Sequence, residues 1–105
     1  MGRLSPRRLL GMILWLAASV ATAAEPLAVA PGVYALIGST DEPTPENAGV
    51  VGNAGFIVGE TGTVVISTGS SYRHGRELIA QAERTGGKPV VLAIVTQPLQ
   101  EFVMG

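Results

Sequence analysis

Few side chains in this 105-residue sequence combine the type and spacing that chemistry needs, and they gather in its second half. Glu101 stands just past residues 90–96, a run that is apolar up to its final threonine. A carboxylate at the outlet of such a run has two readings: a general base or metal ligand, or a solvated helix-start carboxylate favoured by the helix dipole. His74 is the sole histidine. It falls in the first turn of a predicted helix and lacks the clustered donors of a metal site, so it is expected to be a solvated surface side chain rather than a ligand. Ser70 and Ser71 precede that helix with no histidine base in a strand–turn–helix elbow, which predicts capping rather than nucleophilic attack. The glycine pairs Gly52/Gly55 and Gly59/Gly62 are spaced for turns and match no phosphate-cradling loop.

The elements that must position these residues follow from pattern. Residues 25–31, with two prolines, read as a short leader, and residues 32–37 as a first strand. Residues 39–47 hold Pro43, Pro45, Asp41, Glu42 and Glu46, which is loop composition; such a loop either borders a substrate cleft or is a plain polar connection. Residues 50–58 read as a second strand weakened at Gly52 and Gly55, residues 59–62 as a turn, and residues 63–67 as a β-branched third strand, the last two strands pairing antiparallel. Residues 72–84 place Tyr72, Leu78, Ile79 and Ala82 near one helical face, and Gly86, Gly87 and Pro89 end that helix. Continuous apolar character predicts that the strand over residues 90–96 is buried on both faces. Its order after strand and helix predicts a parallel pair with a right-handed crossover.

The N-terminus reads as an export signal. Arg3, Arg7 and Arg8 precede an apolar stretch over residues 9–21, and small residues from Ala21 to Ala24 offer cleavage after Ala23 or Ala24. Residues 1–24 are thus expected to be a signal peptide and the protein to be periplasmic or secreted, with Arg7-Arg8 suggesting the twin-arginine route. The apolar stretch is shorter than the roughly 20 residues of a membrane span, so no stable span is expected after cleavage. Residues 25–105 carry four basic and eight acidic side chains, a formal charge of −4. That balance argues against nucleic acid or an anionic membrane surface as partner. There is no cysteine, so no disulfide staples this small core.

Several local words, in this order and spacing, resemble the N-terminal half of the metallo-β-lactamase fold: Gly32-Val33-Tyr34, Asn53 through Val58, Gly62 through Gly69, and the helix from Tyr72. The family's His-x-His-x-Asp-His-x-x-Gly motif has its register here in Gln97-x-Leu99-x-Glu101-Phe102-x-x-Gly105. The segments Ser70-Ser71-Tyr72-Arg73-His74-Gly75-Arg76 and Gln100-Glu101-Phe102 further resemble exported zinc metallohydrolases of the quinoprotein relay system, which accompany quinoprotein dehydrogenases.

The resemblance implies an α/β fold of α+β type: the N-terminal half of a four-layer αβ/βα sandwich, residues 25–105 forming a partial domain truncated at Gly105. It implies a metallohydrolase of thioester or ester-like bonds whose full-length relatives bind zinc and take a small-molecule substrate. Carried over by position, Gln97 and Leu99 fall on ligands of the first metal and Glu101 and Phe102 on ligands of the second. Leu99 and Phe102 have no donor atom, and the neutral amide of Gln97 is a poor substitute for imidazole. Glu101 remains the one credible ligand or catalytic group, and Ser67 stands where the family has a supporting aspartate. The metal motif is therefore degenerate, and no cofactor is assigned to this chain. The alternatives are a non-catalytic periplasmic binding or accessory module and a non-functional gene fragment.

Overall fold

The computed structural model describes residues 24–105. The predicted signal peptide lies outside the described residues except for Ala24. The described chain forms a small α+β domain built on one five-stranded mixed sheet and two helices. The strands are β1 (Leu27–Ala30), β2 (Val33–Leu36), β3 (Ala54–Val58), β4 (Thr63–Ile66) and β5 (Val90–Ile94). Helix α1 (Tyr72–Gly86) joins β4 to β5, and a single turn of helix, α2 (Gln100–Val103), follows β5. Spatial order matches chain order, with antiparallel pairs from β1 to β4 and a parallel β4–β5 pair. The expected β3–β4 hairpin and parallel β4–β5 pair are both present. No helix of the described residues is long and apolar enough to cross a membrane.

Three expectations are corrected. The supposed leader contains β1, which pairs with β2 through a turn at Pro31-Gly32. Proline before a glycine at φ +73° is the residue pair that a type II turn requires. The strand expected over residues 50–58 is β3 and starts only at Ala54, because Val51 instead makes an isolated parallel bridge to Ser39. Finally, β5 is not buried on both faces: Val91, Leu92 and Ile94 are all exposed, because β5 is one of the two edge strands.

The register sorts side chains onto two faces. Tyr34, Phe56, Val65 and Ala93 align across β2, β3, β4 and β5, while Val33, Ile57, Val64 and Leu92 align one residue away on the opposite face. Helix α1 covers the first face. Leu78 and Ala82, one turn apart, join Leu36, Phe56 and Val65 in a single buried core. Tyr34 stacks on Phe56 with ring centroids 4.8 Å apart. Burying a phenylalanine in this way contributes about 1.5–3 kcal/mol.

The ends of α1 are set by local chemistry. The Ser71 side chain accepts a hydrogen bond from the His74 amide at 3.1 Å, satisfying a helix N–H that has no partner within the helix. Gly87 closes the other end in the left-handed region, its amide donating to the Glu83 carbonyl at 2.8 Å. The Glu83 carboxylate in turn accepts the Val90 amide at 3.0 Å, fixing the start of β5.

Candidate functional site

Because β2, β4 and β5 run in the same direction, their carboxyl ends open on one edge of the sheet. Ligands of open α/β sheets settle at such an edge. An open cleft of about 630 Å³ lies there. One wall is the segment after β2, with Ser39, Asp41 and Glu42; the other is α2 and its approach, with Gln97, Gln100, Glu101 and Phe102. Asn53 and Ser70 lie between them. Gln97 and Glu101, proposed from sequence, therefore share one site, and the acidic loop borders it. Leu99 is not part of the lining; it precedes α2 as its N-cap residue and is largely exposed.

The acidic wall is held from within. Asn47 Oδ1 accepts the amides of Thr44 and Gly49, each at 2.9 Å, while Asn47 Nδ2 donates to the Glu42 carbonyl at 2.9 Å. Ser39 Oγ accepts the Asp41 amide at 3.0 Å and donates to the Asp41 carboxylate at 3.2 Å. The signal for this was the Thr44-x-x-Asn47 spacing, since short polar side chains close turns on their own backbone. Across the cleft, the Phe102 carbonyl accepts both the Thr68 amide and the Thr68 hydroxyl, each at 3.0 Å. The Gly69 carbonyl accepts the Met104 and Gly105 amides at 3.1 Å. Main-chain bonds to the loop after β4 thus fix α2.

His74 corrects the expectation of a solvated residue. It is buried, 6 % exposed, and its position completes the spacing His74, Leu78, Ala82 on the covered face of α1. That four-residue spacing was the available signal. The imidazole Nδ1 accepts the Ser70 amide at 3.1 Å. The Ser70 hydroxyl, 3.2 Å from Nδ1, donates to the Gly49 carbonyl. Ser70 and His74 therefore are not a nucleophile–base pair: the hydroxyl proton is committed elsewhere and Nδ1 is occupied by the amide. Desolvation by burial lowers the His74 pKa below its ordinary value of 6.5, opposed by the Glu77 carboxylate. Tyr72, expected on the core face, is exposed instead and meets Arg76 on the outside of α1.

The cleft presents three carboxyl side chains, Asp41, Glu42 and Glu101, together with amides and hydroxyls, and its lining includes no basic side chain and no imidazole. This donor set does not fit zinc. At the motif register it offers one carboxylate and one amide oxygen, whereas zinc takes imidazole and thiolate nitrogen and sulfur most readily. Among the described residues no three His, Cys, Asp or Glu side chains converge to hold a metal ion. Ser67 is buried with φ +71° and its Oγ accepts the Gly69 amide at 3.4 Å, so it serves the loop. No family model matches the chain, and no curated protein matches its sequence.

Proposed function

We propose that this chain is the N-terminal half of an exported metallo-β-lactamase-type sandwich with a degenerate metal motif. In this reading it acts as a non-catalytic binding or accessory module, and its cleft takes a small polar molecule that carries positive charge. The observation that carries the reading is the lining: carboxylates and amides border the cleft at the carboxyl ends of β2, β4 and β5, with no basic side chain among them. Such a surface attracts cations and repels anions. The half-sandwich assignment is supported by the sheet, which has α1 on one face and an apolar row of Val33, Ile57, Val64 and Leu92 on the other. A second αβ layer is the covering that such a face takes in a sandwich. Association with a quinoprotein dehydrogenase system is supported by the resemblance of residues 70–76 and 100–102, of which Ser70, Gln100, Glu101 and Phe102 line the cleft.

A hydrolytic reading, with Glu101 as general base, has one observation in its favour: the Glu101 carboxylate lines the cleft at the motif register. Calorimetric titration separates the two. Small organic amines and guanidinium compounds should bind, small carboxylic acids should not, and Glu101→Gln should weaken binding roughly tenfold, the usual scale for losing one charge-assisted hydrogen bond. Stoichiometric zinc uptake with turnover of a thioester or ester would overturn the binding reading and establish the hydrolase.

A further inference from the structure

His74 lies where the supports of both cleft walls meet. Ser70 is the joint: its hydroxyl holds the Gly49 carbonyl at the root of the acidic loop, while its amide rests on the imidazole. Gly69, the neighbouring residue, carries the Met104 and Gly105 amides on its carbonyl and so anchors the far end of α2. Gly69 also abuts the ring. Its φ is +90°, and a Cβ built there would stand 2.8 Å from His74 Cγ and Nδ1. One side chain therefore props the Gly69–Ser70 pair to which both walls are tied.

We propose that His74 is a positioning residue that holds the two cleft walls in place only while Nδ1 is unprotonated, making the cleft sensitive to acid. As an acceptor, Nδ1 takes the Ser70 amide, and the ring proton then sits on Nε2. Once protonated, Nδ1 becomes a donor, and two N–H groups face each other across 3.1 Å. The Ser70 hydroxyl can accept the new proton, but the Ser70 amide is left without its partner, a buried loss comparable to a missing hydrogen bond. The peptide between Gly69 and Ser70 must turn, and the bonds to Gly49, Met104 and Gly105 turn with it.

Surrounding groups do not cancel this response. Beside the imidazole is a small cavity bounded by Leu36, Val50, Ala54, Leu78 and Gln81, with Glu77 as its charged member. Glu77 is shared with Arg73, which approaches it at 3.5 Å. The loop over residues 67–71 contributes no titratable side chain. Glu101 belongs to the cleft wall and is not part of this cavity. His74 is the sole histidine, and histidine is the side-chain type whose charge ordinarily changes near pH 6.5.

The proposal concerns the walls and not their ligand, so it is tested without one and fails or stands apart from the assigned binding role. Amide hydrogen exchange of the full chain, corrected for intrinsic rates, should show protection at Met104 and Gly105 falling at least about tenfold between pH 7.5 and 5, and by more than in β3 and β4, whose smaller fall reports the loss of global stability alone. The midpoint of that fall should coincide with the imidazole midpoint measured by nitrogen NMR, below the ordinary 6.5. His74→Asn, which offers an acceptor that does not titrate, should hold the walls at both pH values. Loss spread equally over the sheet, a midpoint away from that of the imidazole, or an undiminished response in the Asn variant would each overturn the proposal. The comparison of midpoints needs only the unmodified chain.

Discussion

On one face of the sheet the row Tyr34, Phe56, Val65 and Ala93 lies toward α1, and Phe56 is 1 % exposed. One residue along each strand, Val33, Ile57, Val64 and Leu92 make the opposite row, where Ile57 is 41 % exposed and Leu92 54 %. Both rows are apolar. They differ in that α1 docks on one of them, which separates an apolar side chain that stabilises the fold from one that merely sits on it. Only area actually removed from water contributes to stability.

The sharpest way to break this comparison is to truncate neighbours. Phe56→Ala should cost about 3–5 kcal/mol in urea denaturation, since it removes the centre of the core and leaves a cavity under α1. Uncapping the helix that makes the difference comes next: Ser71→Ala should cost about 1 kcal/mol by the same measurement. Ile57→Ala, adjacent to Phe56 in sequence, should cost about 1 kcal/mol or less, because its side chain is already half in water. Should Ile57→Ala cost as much as Phe56→Ala, the open face is covered in solution, and sedimentation would show by what. Smallest should be Leu92→Thr, within about 0.5 kcal/mol, with a gain in solubility.

Acid reaches the covered face through His74. The His74 pKa is lowered in the folded chain, so as pH falls through 6.5 the unfolded chain takes up its proton first. Stability should therefore be unaffected by this group above that value and decline below it, levelling off only under the folded-state pKa. Thermal denaturation between about pH 7.5 and 5 reads the decline, and it should vanish in His74→Asn.

Where local chemistry decides structure, the sequence was readable. The β-branched run of β4, the serine cap of α1 and the Gly86-Gly87 stop each imply their own geometry. The misread elements depend on partners distant in sequence. An apolar run such as β5 looks the same whether it becomes a central strand or an edge strand, and only the order of strands decides which. Strand β1 was hidden because its two flanking prolines suggest a leader, although Pro31-Gly32 is also the turn that folds it back. For the candidate site, Gln97 and Glu101 were pointed to by the register of the motif that the sequence resembles, and both line the cleft. His74 was misjudged by being considered singly rather than with Leu78 and Ala82, and the hydrogen bonding that makes it a prop spans Gly49, Ser70 and α2.

The way α2 is fastened bears on how this loop can change over time. Its ties to the loop after β4 run through the Phe102 and Gly69 carbonyls and the Met104 and Gly105 amides, groups that every residue other than proline supplies. Side chains at positions 97, 99 and 101 can therefore be exchanged with little penalty to the backbone that presents them. Drift at those positions is nearly invisible to folding, so a lineage can lose one chemistry there and acquire another while the frame persists. The same property makes the segment a convenient place to graft new side chains by design.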